Sequence, residues 1–187
     1  MAITKLVSDS LGAGVGGSLV KLITTTTSGS ATNVDFNSTY INDDYYSYVL
    51  YITDVRPNTD AQEPYIKFST DNGSTFITCS STRTYRGLEG SATGIEYNSG
   101  AFVQLGTDVG NDASQLGSHI IEMPGLRSTS GYKWGMYRSA AKHYVGNYNW
   151  EGGFRVITTS AINFIRFNYS VGTIVDNAKI TLYGVNS

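Results

Sequence analysis

This sequence of 187 residues has one cysteine and three prolines, and both shortages narrow the kinds of protein it can be. The single cysteine, Cys79, excludes a disulfide within the chain and a zinc site built on cysteines. Because Cys79 lies in a predicted strand, we expect it to be a small buried hydrophobic side chain rather than a reactive thiol. Few prolines also mean few interruptions of backbone pairing in a sheet.

Charged residues are scarce as well. They make up 15% of the chain, whereas about a quarter is usual for a globular domain. The formal net charge is −2, and lysine and arginine occur without any basic run. Nothing in this distribution attracts nucleic acid or an anionic membrane over long range. We therefore expect neither a nucleic-acid partner nor membrane insertion.

Long apolar runs are the third shortage. No segment approaches the ~20 apolar residues that a membrane-spanning helix needs, and residues 1–18 lack the apolar core of a signal peptide. The sequence therefore predicts a protein that is made and folded in a cytoplasm. If it reaches the outside of a cell, a route other than ordinary secretion carries it there.

What the sequence does contain is the periodicity of β-strands. In residues 46–55, one face carries Tyr48, Leu50 and Ile52, and the alternate positions are apolar enough to predict burial of both faces. Similar short segments, separated by Gly, Asn, Asp and Ser, recur along the chain, and we count roughly nine to eleven of them. Residues 82–100 are predicted to form a polar loop with at most one strand, and residues 139–142 to interrupt an aromatic stretch between Tyr132 and Trp150. The sequence thus predicts an all-β fold, an antiparallel β-sandwich of jelly-roll-like form.

The first 18 residues differ from the rest of the chain. Four glycines fall within residues 11–17, and their backbone entropy opposes both helix and strand. Residues 1–18 are therefore predicted to form an extended arm or linker before a sandwich domain of residues 19–187. Two alternatives stay open, a loosely ordered terminus or an assembly arm that orders on a neighbouring subunit through Leu11 and Val15.

Residues 65–80 predict a β-hairpin, because alternating apolar residues lead into an Asp-Asn-Gly turn. Residues 69–76 of this hairpin also fit the Asp-box pattern, which resembles a hallmark of sialidase-like propellers. In those proteins the box is a folding device away from the active site, with an Asp side chain bonding turn amides and an aromatic ring packed beneath. Because the pattern occurs once here, we interpret Asp71 and Phe76 as structural residues.

Candidates for catalysis are weak. The aspartates and glutamates lie mostly in turn contexts, where a carboxylate usually serves the backbone rather than acid and base chemistry. The two histidines, His119 and His143, have no third ligand type nearby in sequence, which argues against a zinc site or a catalytic triad. We expect no enzymatic activity and no cofactor.

One stretch of the chain is rich in aromatic residues, with lysine, arginine and asparagine among them. Aromatic faces stack on sugar rings while polar neighbours bind the sugar hydroxyls, yet aromatic residues also anchor subunit interfaces and sandwich cores. Three roles therefore stay open for the aromatic residues of this stretch: packing in the core, contact in a subunit interface, or binding of a glycan. The residues are Tyr132, Trp134, Tyr137, Tyr144, Tyr148 and Trp150.

The order of these features resembles a known group of proteins. Four features carry the likeness: the glycine-rich start before Leu-Val-Lys-Leu, the strand that leads into residues 54–60, the turn at 68–76 and the ending at 180–185. Together they resemble virion surface proteins of tailed bacteriophages, marine ones especially, which are tail-fibre or other structural components. The likeness covers about residues 19–185. It consists of turn and strand signatures, so no functional residue carries over.

The resemblance implies a non-enzymatic structural protein of the virion, displayed on the capsid or the tail and assembled in the host cytoplasm. It also implies other virion proteins as partners and a homo-oligomer, often a trimer. The aromatic stretch leaves one alternative, a receptor-binding module that recognises glycans on the host surface.

Overall fold

Alternation of apolar and polar residues gives most of the chain the form of strands with one buried face. The computed structural model describes residues 19–28, 31–87, 93–143 and 146–186. Over these residues the fold is all-β, with two antiparallel sheets packed together as a sandwich, as the sequence predicts. No helix long and apolar enough to cross a membrane occurs in this described part of the chain.

Two of the sequence-based predictions fall outside these ranges. The arm, residues 1–18 with Leu11 and Val15, is not described, and neither is the aromatic residue Tyr144. The assembly role of the arm and its boundary with a domain of residues 19–187 therefore stay predictions.

Twelve strands follow one another along the described residues. In chain order they are β1 (Leu19–Thr26), β2 (Asn33–Phe36), β3 (Ser47–Val55), β4 (Pro64–Ser69), β5 (Cys79–Gly87), β6 (Thr93–Gly100), β7 (Val103–Gln104), β8 (Gly117–Pro124), β9 (Lys133–His143), β10 (Gly146–Val156), β11 (Phe164–Tyr169) and β12 (Lys179–Val185).

The strand order is that of a jelly roll with two additions. Strands β1, β12, β3 and β8 lie side by side in one sheet, and β2, β11, β4 and β7 form the other. These eight strands have the two-sheet, double Greek-key arrangement of a jelly roll. The hairpins β5–β6 and β9–β10 then extend the first sheet to eight strands, in the order β1-β12-β3-β8-β9-β10-β5-β6.

The core lies between the two sheets, where the inward residues of each strand meet. Phe68 of β4 stacks on Phe154 of β10 with 5.6 Å between the ring centroids, so the small sheet packs against an added strand as well as the jelly roll. Burial removes each large apolar side chain from water, which stabilises the fold by roughly 1.5–3 kcal/mol per fully buried Val, Leu, Ile, Phe or Met. The largest buried side chains of this core are Trp150, Tyr48, Phe36, Phe68, Phe167, Ile41, Leu50 and Ile52.

Strand β3 is buried on one face only, so the prediction of two buried faces is wrong. Tyr48, Leu50 and Ile52 point into the core, whereas Tyr51 on the other face is 37% exposed. The outer face of β3 is apolar because of cross-strand packing rather than burial, since the Tyr51 ring meets the Tyr183 ring edge-on at 5.5 Å.

Residues 79–100 form a hairpin, β5–β6, so the prediction of a polar loop with at most one strand at residues 82–100 is wrong. Their alternation is mostly between hydroxyl and charged side chains, which carry little apolar contrast. Residues 139–142 likewise continue β9 instead of interrupting the aromatic stretch. The weak apolar contrast of β5 and β6 therefore explains why the predicted nine to eleven strands fall short of the twelve in the described residues.

The predicted hairpin at 65–80 is also wrong, because the strands on either side of its turn lie in different sheets. Strand β4 pairs with β11 and β7, and the chain crosses to the other sheet before β5 begins. The turn itself has the internal bonds of an Asp box. The Ser69 hydroxyl donates to the Asp71 carboxylate at 2.5 Å and accepts from the Gly73 amide at 3.0 Å.

The Asp71 carboxylate also accepts from the amide and hydroxyl of Thr75, at 2.8 and 2.7 Å. These hydrogen bonds, first from Ser69 and then from Thr75, favour the ionised form and lower the pKa of Asp71 from 3.8 to about 2. Phe76 packs beside Phe164 with 6.3 Å between the ring centroids. The turn is therefore a fixed corner between the two sheets.

This geometry predicts a pH dependence of stability. A carboxyl group whose pKa is depressed by folding stabilises the folded state above its unfolded pKa and loses that effect as the pH falls. The contribution of Asp71 should be complete above about pH 5 and should disappear as the pH falls through its pKa of about 2. Urea unfolding of the wild type and of Asp71→Asn should therefore differ at pH 6 and converge near pH 2. An equal convergence in the control Asp176→Asn, in another turn, would contradict this assignment.

Candidate functional site

The candidate site lies on the outer face of the eight-stranded sheet, the face that points away from the four-stranded sheet. The two added hairpins, β5–β6 and β9–β10, lie next to each other and place their outward side chains in rows across four strands. One row consists of Trp134, Arg155, Ser80 and Ser99, and the next consists of Met136, Gly153, Thr82 and Tyr97.

A cleft of about 560 Å³, the Gly153 cleft, crosses these rows. Gly153 forms part of its floor because a glycine there leaves the space of a side chain empty. A Cβ atom at this position would meet only the carbonyl oxygen of Gly135, at 3.8 Å. The cleft volume falls within the ~300–1,000 Å³ of small-molecule sites.

The walls of the cleft are aromatic and its lining is rich in hydroxyls. Trp134 on β9 is 61% exposed and Tyr97 on β6 is 80% exposed, an unusual level for large aromatic side chains. The two residues are three strand spacings apart, roughly 14 Å across the sheet. Ser80 and Thr82 lie on the strand β5 between them.

Arg155 is the charged residue that lines the cleft. Its guanidinium lies 5.4 Å from the Tyr132 ring centroid and 5.6 Å from that of Trp134, so cation–π contacts hold it in place. Its Nε atom is buried and has no hydrogen-bond partner. A buried donor without a partner is costly, and such exceptions need an explanation. The arrangement leaves a fixed cation at the edge of the cleft.

On the inner side, polar contacts fasten the strands beneath the cleft. The Arg83 Nε donates to Glu96 at 2.6 Å, which ties β5 to β6. The Asn98 amide donates to the Gln104 side chain at 2.6 Å, and the Tyr137 hydroxyl donates to the Gln104 carbonyl at 2.9 Å. Burial raises the pKa of Tyr137, so this hydroxyl keeps its proton and stays a donor. These side-chain contacts thereby fix the positions of β9, β5 and β6 relative to β7.

A second depression of about 370 Å³ continues along the outer face toward β8 and β3. Met136 borders it, and Glu122 and Glu151 supply carboxylates. Arg138 lies 3.6 Å from Glu151, an exposed ion pair that partly neutralises this part of the face. The charges of the outer face are therefore unevenly placed, with a cation in the Gly153 cleft and carboxylates beside it.

The structure divides the predicted aromatic site between two faces. Trp134 and Tyr132 lie on the exposed side, whereas Trp150 is 1% exposed and Tyr137 is 2% exposed. Tyr148 is half-buried and stacks on Trp150 with 5.7 Å between ring centroids. Successive strand residues point to opposite faces, so nearness in sequence did not place these rings together. The role of Trp150 and Tyr137 as ligand-facing residues is therefore corrected to a role in the core.

Sequence reasoning missed Tyr97, Gly153 and Arg155. Tyr97 belongs to the segment predicted as a loop, although Ile95 and Tyr97 alternate with Glu96 and supply a weak strand signal. Gly153 and Arg155 are unremarkable in sequence, because their value depends on which residues the neighbouring strands bring beside them.

His119 lies in the core rather than in the cleft. Its Nδ1 is 2.8 Å from the Ser139 hydroxyl, and its ring packs beside Phe167 of the opposite sheet at 6.0 Å between centroids. Complete burial lowers the pKa of His119 to about 3, so the imidazole is neutral near pH 7. This serine–histidine contact joins β8 to β9 between the sheets.

Comparisons with known proteins find no matching family model, no matching curated protein and no matching solved structure. The jelly-roll topology follows from the strand order, and the cleft follows from the residues that line it.

The division of the aromatic residues predicts opposite effects for the two tryptophans. Trp150→Ala should destabilise the fold by about 3–5 kcal/mol, because it removes a large buried ring from the core. Trp134→Ala should cost less than about 1 kcal/mol, since it removes only an exposed ring and its cation–π contact. Urea denaturation of both variants measures the difference, and equal losses would contradict the assignment of the two faces.

Two adjacent glycines should also respond differently to alanine. A Cβ atom at Gly152 would lie 2.5 Å from the Thr82 carbonyl oxygen and 2.7 Å from the Tyr137 ring. Gly152→Ala should therefore destabilise the fold by about 1–3 kcal/mol through overpacking. Gly153→Ala meets open space and should be neutral or stabilising by roughly 0.5–1 kcal/mol, because alanine loses less entropy in a strand. Thermal and urea unfolding of the pair would test this, and a destabilised Gly153→Ala would contradict the open cleft floor.

Proposed function

We propose that this chain is a non-enzymatic structural protein of a tailed-bacteriophage virion, displayed on the particle as a capsid decoration or a tail or fibre component. It would be assembled in the host cytoplasm and would need no cofactor. The observation that carries the proposal is a jelly roll whose enlarged sheet turns exposed aromatic and apolar side chains to solvent.

The scaffold supports this proposal by analogy. Jelly rolls are a recurrent architecture of viral capsid and lectin domains, although a fold alone does not define a function. The sequence features that resemble phage surface proteins lie in the scaffold, in β3, in the turn after β4 and in β12. The same features therefore support both the architecture and the assignment to a virion.

The outer face is suited to contact with partners. Exposed apolar residues are ordinary when single, but a contiguous group marks an interaction surface. Here two exposed apolar pairs share one face, Trp134 with Met136 on β9 and Ile95 with Tyr97 on β6, and the more polar strands β10 and β5 lie between the pairs. We propose that other virion proteins and further copies of this chain, in a homo-oligomer such as a trimer, bind the arm of residues 1–18 and surfaces of the sandwich outside the Gly153 cleft.

The arm gives the sharpest test of assembly. A truncated chain that begins at Leu19 keeps every strand described here, so it should unfold at the same temperature as the full chain. It should nevertheless be missing from particles assembled in its presence, because residues 1–18 would no longer reach the partner. Mass spectrometry of purified particles, with the full chain as control, makes the measurement.

Two results would count against these proposals in different ways. Normal incorporation of the truncated chain would contradict the role of the arm and leave the virion assignment standing. Absence of the full chain from purified particles would contradict the virion assignment itself.

A second candidate function is favoured by a specific observation, the Gly153 cleft. Aromatic walls with hydroxyl groups between them suit sugar rings, whose faces are apolar and whose edges are polar. We therefore propose as the alternative a receptor-binding module that recognises glycans on the host surface. The two functions are compatible, because a displayed virion protein is placed where it can meet a host.

A further inference from the structure

We propose that the Gly153 cleft binds an acidic glycan, a sugar chain that bears carboxylate or sulfate groups. Trp134 and Tyr97 would stack on sugar rings at its two sides, and Arg155 would bind the oxyanion. This inference rests on the second candidate function and adds the ligand class and the residues that select it.

The shape of the cleft suits an extended chain better than a compact ligand. Its aromatic walls are about three strand spacings apart, roughly 14 Å, so both can be used only by several linked rings. The empty floor at Gly153 lets a ligand approach the backbone of the sheet between them. A side chain at that position would fill the space between Thr82 and Met136, its neighbours in the row.

The lining suits a polyhydroxylated ligand. Ser80, Thr82 and Ser99 present hydroxyl groups, each of which donates one hydrogen bond and accepts others. An apolar knob from a protein partner would leave these groups unpaired, whereas the hydroxyls of a sugar can match them. The apolar faces of sugar rings would at the same time cover Trp134 and Tyr97.

The charge of the lining selects an anion. Arg155 lines the cleft, and no carboxylate is among the described residues that line it. Its guanidinium is held against two aromatic rings, and its Nε has no hydrogen-bond partner. A guanidinium presents several donors in a plane that matches the geometry of an oxyanion. A bound carboxylate or sulfate would compensate the charge of this guanidinium.

Carboxylates beside the cleft also restrict where an anionic ligand can bind on the outer face. Glu122 and Glu151 line the adjoining depression, where they would repel an anionic ligand. An acidic glycan should therefore lie across β9, β10, β5 and β6 and end at Met136. This binding position differs from the site predicted on the aromatic stretch, because it includes Tyr97 and excludes the buried Trp150.

Titration calorimetry of the full chain tests the proposal with defined probes. These are oligogalacturonate and sulfated galactan oligosaccharides, each paired with its carboxyl-reduced or desulfated counterpart. At least one acidic probe should bind. Its neutral counterpart should bind at least about tenfold more weakly, because a charge-assisted hydrogen bond is lost. The two pairs distinguish a carboxylate ligand from a sulfate ligand.

Variants connect the binding to the cleft. Arg155→Gln should remove the preference for the acidic probe, and Trp134→Ala and Tyr97→Ala should each weaken binding about tenfold. Gly153→Val should abolish binding while the melting temperature stays at or above that of the wild type, since a β-branched residue suits an open strand position. Tyr46→Ala is the matched control, because Tyr46 is 65% exposed and does not line the cleft. It should bind as the wild type does.

Each other outcome overturns a defined part. No binding to any probe, acidic or neutral, overturns both the acidic-glycan site and the glycan-receptor function. Equal binding of acidic and neutral probes, or binding that Gly153→Val leaves intact, overturns the site and leaves a glycan receptor standing. Self-association in analytical ultracentrifugation that Gly153→Val abolishes, without sugar binding, assigns the cleft to a second copy of this chain and overturns the inference.

Discussion

Phe68 and Phe154 stack across the space between the two sheets, where the apolar faces of both sheets are packed away from water. Each sheet has an apolar face that must leave water, and only the other sheet can cover it. Inward residues such as Leu50 and Phe167 are completely buried there. Once these faces are matched, every second residue of each strand is turned to solvent, and the outer face with its cleft is the consequence.

The cleft is built on additions to the scaffold rather than on the scaffold itself. Strands β5, β6, β9 and β10 lie outside the eight strands of the jelly roll, and together they supply all the residues that line the Gly153 cleft. The polar contacts of Arg83 and Gln104 hold these hairpins from the inner side. Such an arrangement separates the residues that stabilise the sandwich from the residues that line the cleft, so outward residues can change while the inward ones keep the sandwich intact.

The arginines show the same separation. Arg83, Arg127 and Arg166 each pair with a carboxylate, of Glu96, Asp43 and Asp35 respectively. The pairs of Arg127 and Arg166 join segments distant in sequence, and the pair of Arg83 joins the two strands of one hairpin. Arg155 instead lies against Tyr132 and Trp134, with aromatic rings in place of an anion. An arginine held in this way keeps its capacity for an external anion, whereas a paired arginine has already used it.

Alternation with a period of two and frequent turn residues were enough to predict the fold class, because a β-sandwich buries the apolar faces that this alternation creates. The sequence by itself also determined Asp71 as the centre of a turn, since that turn is closed by residues within six positions of one another. The assignment of β4 and β5 to different sheets could not be predicted from local sequence, because strand pairing depends on contacts between segments far apart in the chain. The folded structure shows it. It alone placed Trp134, Gly153 and Tyr97 on one face and Trp150 in the core. Strand register fixes that choice, and a single-residue shift would reverse it.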